Sequence, residues 1–197
     1  MKTVIISDFQ VANEFIKDAL SDLQPNNGSC SWYKGKFYTK ELILVEFNNK
    51  SHDLSQLLDM LITKEGINKV ISISLGSPLS DHLRSGDVLI NDLPNGSCQK
   101  LIDLFLDKMV EVDGEPLRVF VGNIIDSINE EKSMDTLACV DCSCSEILSI
   151  LKNKGLSTLL IRVITPKAKE TNLDTEIKIS VAQKLLFLLK KTIEQIS

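Results

Sequence analysis

Gly76 and Ser77 are the residues best placed to meet a small molecule. They follow the run Val70-Ile71-Ser72-Ile73-Ser74-Leu75, which is apolar apart from two serines. Glycine lets a backbone pass close to a ligand or turn sharply, because it has no Cβ. In an α/β sheet, ligands collect at the carboxyl ends of strands. A run of this kind that ends in Gly-Ser therefore marks either a ligand-contacting strand end or an ordinary turn. Asp8 closes a shorter run, Thr3 to Ile6, after Ser7. A carboxylate there suits acid-base chemistry, and it equally suits a turn or helix cap. Cys139, Cys142 and Cys144 are closely spaced, and a Cys-x-x-Cys pair fits zinc or redox chemistry. No second pair exists, and the two histidines, His52 and His82, fall in other segments. The thiols then read as small buried hydrophobes, and neither metal nor cofactor is expected. His82 reads as a solvated loop residue or a ligand contact, and Asp126 as a turn residue or part of a pocket rim.

Strands must hold these groups in place. Leu83-Arg84-Ser85-Gly86-Asp87 leads from the Gly-Ser loop into a second apolar strand at 87–91. Val11, Phe15, Ala19 and Leu20 recur at helical spacing and predict a helix over 10–23. Residues 24–29 read as a loop, and Lys34-Gly35 as a turn between two short strands. Helices are predicted at 54–64, 99–109, 143–153 and 174–196, with strands at 41–47, 68–74, 117–121, 136–140 and 156–164. Alternating strands and helices, with several strands apolar throughout, predict a mostly parallel sheet covered by helices on both faces.

The chain has 197 residues, 43% hydrophobic and 25% charged, with a net charge of -5. That length fits one domain spanning 1–197. The acidic balance argues against nucleic acid as a partner. No apolar stretch approaches the ~20 residues of a membrane span. Five unevenly spaced cysteines suit a reducing compartment, so a cytoplasmic location is expected.

The motifs in order resemble the nucleoside phosphorylase/nucleosidase superfamily. Gly76-Ser77 with Leu83-Arg84-Ser85-Gly86-Asp87 is similar to its Gly-Ser-Ala-Gly loop and Leu-x-x-Gly-Asp strand. Tyr33-Lys34-Gly35-Lys36 resembles its Tyr-x-Gly hairpin, and Val121-Gly122-Asn123 its Val-Gly-Asn strand. Cys139-Val140-Asp141-Cys142-Ser143 stands in place of Val-Glu-Met-Glu, and Arg162-Val163-Ile164-Thr165-Pro166 in place of Val-Arg-x-Ile-Ser-Asp. Length and strand order resemble the methylthioadenosine/S-adenosylhomocysteine nucleosidases most. The resemblance implies a three-layer α-β-α sandwich with a central mixed, mostly parallel sheet. It also implies hydrolysis of an adenine nucleoside's N-glycosidic bond, a nucleoside ligand, and a homodimer whose interface segment is shortened here to 93–98.

Relative to that pattern the reacting groups are replaced. The water-positioning glutamate falls near Ala12, with Gln10 and Glu14 beside it. The ribose-binding glutamate falls on Ser143, which also suits a helix N-cap. The glutamate before it falls on Asp141, a shifted ligand carboxylate or a cap. The purine-protonating aspartate falls on Pro166, which has no proton to give. Asp8, Glu14, Asp141, Glu170 and Asp174 are the acids that could replace these groups. Gly76, Ser77, Asp141 and Ser143 are the expected ligand contacts. Two functions follow: a divergent nucleosidase, or an inactive relative that binds a nucleoside or another protein.

Overall fold

The computed structural model describes residues 2–27, 30–47, 51–92, 99–107, 109–112, 114–125, 137–141, 145–166 and 173–195. In chain order the elements are β1 (Lys2–Ser7), α1 (Gln10–Ala19), β2 (Ser21–Asn27), β3 (Ser31–Phe37), β4 (Lys40–Glu46), α2 (Ser51–Glu65), β5 (Ile67–Pro78) and β6 (Val88–Asp92). There follow α3 (Gln99–Leu106), β7 (Glu111–Val112), β8 (Glu115–Pro116), β9 (Val119–Val121), β10 (Asn123–Ile125), β11 (Ala138–Asp141), α4 (Ser145–Lys154), β12 (Ser157–Ile164) and α5 (Thr175–Gln195). The main sheet runs β2-β3-β4-β1-β5-β12-β6-β9; β10 pairs with β11, which pairs with β5. The central pairs β4-β1, β1-β5 and β5-β12 are parallel, whereas β2-β3, β3-β4 and β12-β6 are antiparallel.

Alternation along the central strands feeds two separate cores. Ile5, Ile71, Ile73, Leu159, Ile161 and Val163 face one way, toward a cluster completed by α1, α3 and α5. Val4, Ile6, Val70 and Leu160 face the other way, toward α2 and α4. Strands apolar on both faces must be covered on both faces, which gives the three layers.

Three sequence expectations change. The chain leaves the helical path at Leu20, and β2 over 21–27 takes the place of the last residues of the helix expected to 23 and of most of the loop expected over 24–29. Lys34-Gly35 is not a turn: β3 runs straight through it, and the hairpin closes after Phe37. Gly35 is needed for close approach instead, since a Cβ there would lie 3.0 Å from Leu20 Cβ and 3.0 Å from the Ser21 carbonyl. Gly76-Ser77 is also strand rather than turn, paired with β11 through Asp141↔Gly76 and Val140↔Ser77. The compressed segment 93–98 lies outside the described residues.

Candidate functional site

β5 is long enough to be shared along one edge. β1 pairs with it up to Ser7↔Ile73, while β12 takes the opposite edge up to Ile164↔Gly76. β11 then joins on the β1 side, antiparallel, from Gly76 to Pro78. Between the end of β1 and the start of β11, Ser74 and Leu75 have no strand partner on that edge among the described residues. Chain divergence at the carboxyl ends of parallel strands is where α/β sheets open a crevice.

Asp8 enters this gap directly after β1. The Ser74 hydroxyl donates to its Oδ2 at 2.9 Å. Its Oδ1 is buried and accepts no hydrogen bond. Burial raises the Asp8 carboxyl above its ordinary range, and the Asp141 charge adds to this; the Ser74 hydrogen bond and the Arg162 charge only partly offset it.

Arg162 is the register neighbour of Ser74 and is fully buried. Ser72, Ser74 and Gly76 lie on one face of β5, and their small size leaves room for its side chain. A Cβ on Gly76 would sit 3.1 Å from Arg162 Cβ and 2.8 Å from Cys139 Sγ. Arg162 Nη1 donates to the Ser72 and Ile161 carbonyls at 3.0 and 2.9 Å, and Nη2 to Asp141 Oδ2 at 2.6 Å. Both side chains of that pair are 0% exposed. Arg162 Nε is buried with no acceptor.

A cavity of about 270 Å3 adjoins Asp8 and is lined also by Gln10, Asn13, Glu14, Ser31 and Glu46. Asn13 lies on the buried face of α1 and is 3% exposed. Its Nδ2 donates to the Ser7 carbonyl at 3.3 Å, and its Oδ1, also buried, has no donor. Two orphaned acceptor oxygens, Asp8 Oδ1 and Asn13 Oδ1, thus belong to residues lining one cavity. Lys17 bridges Glu14 and Glu46 at 2.8 and 2.9 Å beside it. Such a site suits a ligand rich in donors: water, hydroxyl or amine. Among the described residues no group of three metal-ligating side chains occurs.

The expected site residues therefore divide. Asp8 and Glu14 line one cavity, and the paired charges of Arg162 and Asp141 lie close enough to act on Asp8. Asp174 is exposed and caps α5: its Oδ1 accepts the Glu176 N–H at 2.9 Å. Gly76 and Ser77 are buried in the sheet beside Asp141. Ser143 and Glu170, with Asp126, Cys142 and Cys144, lie outside the described residues. Ala12 is packed in the core, and Pro166 follows β12 exposed. Sequence reasoning passed over Arg162, Ser74 and Asn13. An arginine inside the apolar run Leu159-Leu160-Ile161-Arg162-Val163-Ile164 is itself a signal, since a buried cation requires a carboxylate partner. Asn13 shares the inward face of α1 with Ala12 and Ile16.

This architecture, a mixed and mostly parallel sheet between two helical layers with a crevice at its carboxyl edge, is the nucleoside phosphorylase-like α/β fold. Solved structures match it over the whole chain. The methylthioadenosine/S-adenosylhomocysteine nucleosidase of Colwellia psychrerythraea, in complex with adenine, superposes with a TM-score of 0.76 at 14% identity, covering 100% of this chain and 96% of that one. The corresponding Neisseria meningitidis enzyme, in complex with methylthio-immucillin-A, gives 0.74 at 13% identity, with 99% of each chain covered. A futalosine hydrolase mutant of Helicobacter pylori gives 0.73 at 12% identity, with 100% of each covered. No family model matches the sequence, and no curated protein matches it significantly.

Proposed function

We propose that this chain is a nucleosidase that hydrolyses the N-glycosidic bond of a purine nucleoside, with Asp8 as the base that activates water. The observation that carries this reading is the pair of orphaned acceptors, Asp8 Oδ1 and Asn13 Oδ1, at the cavity beside buried Arg162. A water donating to both acceptors would be oriented by them. Burial makes the ionised Asp8 a stronger base than an ordinary carboxylate. As water attacks the anomeric carbon, its proton passes to Asp8, the new C–O bond forms, and the C–N bond breaks. The departing purine takes its proton from solvent, because Pro166 carries none. Glu14 and Glu46, bridged by Lys17, line the same cavity, and their net negative charge would favour an oxocarbenium-like sugar bound there. Gly76, Ser77, Asp141 and Ser143 complete the nucleoside site in this reading. The chain acts as one domain over 1–197, in the cytoplasm. Cys30 and Cys139 are buried in the reduced state, in keeping with a reducing compartment.

One observation favours a second reading, binding without turnover. Pro166 stands where the resembled enzymes carry the purine-protonating acid, and Asp174 is committed to capping α5. A single experiment separates the two. The purified protein is incubated with methylthioadenosine, S-adenosylhomocysteine, adenosine, inosine and aminofutalosine, and free base is measured. Release that falls at least a hundredfold in Asp8→Asn supports the nucleosidase. No release, with calorimetric binding of adenosine, leaves the binding protein. Neither release nor binding of any of the five sinks both.

A further inference from the structure

We propose that the molecule carries a second ligand site, for a phosphate group, in the cleft between the 84–87 turn, the 115–118 segment and the N-terminal half of α5. The cleft encloses about 450 Å3, and none of its lining residues lines the cavity beside Asp8. Lys184 projects from α5 into its lining and is 7% exposed, yet among the described residues it makes no hydrogen bond or ion pair. The stem of Lys184 packs into the wall, and its ammonium is open to pair with an anion held in the cleft. Ser85 Oγ, also at the cleft, is buried with no partner.

The donors arrive from three directions. Lys184 and Ser180 come from α5, Arg84 and Ser85 from the turn, and Arg118 from the segment before β9. Convergence from separate elements suits a tetrahedral anion with several acceptor oxygens better than a single carbonyl. Three carboxylates also line the cleft. Asp87 is already engaged, accepting the Arg84 backbone N–H at 2.7 Å and facing Arg118 at 3.5 Å. Glu115 and Glu176 are exposed, where solvent and salt screen them. Arg84 makes no ion pair of its own among the described residues. The turn is seated firmly on the helix. Gly86 has φ +86, a Cβ there would meet Ile177 Cγ2 at 3.2 Å, and its N–H donates to the Ile164 carbonyl at 2.9 Å. Leu117, Ile177 and Val181 supply an apolar flank able to take an organic substituent.

The phosphate group could come from the free anion or from a phosphomonoester. Calorimetric titration of the full chain with inorganic phosphate and with phenyl phosphate, against sodium chloride at matched ionic strength, tests the site. At least one of the two is expected to bind, with affinity reduced about tenfold or more in Lys184→Met and in Arg84→Gln, and unchanged in Asp8→Asn. Tighter binding of phenyl phosphate assigns a phosphomonoester; equal or weaker binding assigns the free anion. Arg84 is exposed, so Arg84→Gln decides the matter should Lys184→Met fail to fold. No binding of either probe, or affinity unaltered in the folded variants, overturns the proposal.

Discussion

At the scale of single residues, charge inside the sheet dominates this protein. Arg162 and Asp141 are buried together, and each offsets the cost of the other's buried charge. Asp141→Asn leaves the guanidinium without its counter-ion. It should cost about 3–5 kcal/mol of stability, read as a lower urea midpoint with an unchanged slope. Asp8 acts with the opposite sign. Its carboxyl titrates above the ordinary 3.8 because burial disfavours the charged form. The folded state therefore binds its proton more tightly than the unfolded state does. Its contribution to stability is complete below about pH 3.8 and is lost as pH rises through the elevated value. In Asp8→Asn that loss should vanish. The stability difference between variant and parent should move in the variant's favour from acid toward neutral pH and then level off. A difference that stays flat across that range would count against a raised Asp8. Neither pairing is readable locally, since Asp8 meets Ser74 across 66 positions and Arg162 meets Asp141 across 21.

At the scale of elements, glycines and small residues set how closely strands approach. Gly35 stands in mid-strand because the end of α1 and the start of β2 press against β3. Gly35→Ala should lower the melting temperature, at a cost of about 1–3 kcal/mol, as overpacking does elsewhere. Gly76→Ala meets Cys139 and Arg162 and should disturb the buried ion pair as well as stability. Loss of stability together with loss of ligand binding is the outcome to look for. Gly35, expected in a turn, and Gly76, for which a turn and a strand end stood open, show the limit of a local reading. A glycine between strand-like residues signals a turn or a close approach with equal force, and only the neighbouring chain decides which. The same limit hid β2, whose Pro25 and asparagines resemble a loop; Pro25 is accommodated because β2 is the outermost strand.

At the scale of the whole molecule, the site is assembled from β1, β5, β11, β12 and α1, so a ligand held there should stabilise the entire fold. Adenosine at a hundred times its dissociation constant should add about 2.7 kcal/mol to unfolding, seen as a raised melting temperature. The shift should be much smaller in Asp8→Asn, and a full shift in that variant would place adenosine elsewhere. No helix among the described residues is long and apolar enough to cross a membrane. Much of this architecture is legible in the chain alone. Period-two alternation in the strands and apolar stripes on the helices are local, and they suffice for three layers and a mostly parallel sheet. The order of motifs resembles that of the nucleosidases, and solved nucleosidase structures match the fold over 99–100% of this chain. The sequence also marked Asp8, Glu14 and Asp141 as carboxylates worth attention. It did not show that β1 and β11 share one edge of β5, that the gap between them admits Asp8, or that Arg162 ties Asp141 to the same place. Those facts depend on strand register and on contacts between distant segments. No local pattern encodes them, because they exist only once the sheet has closed.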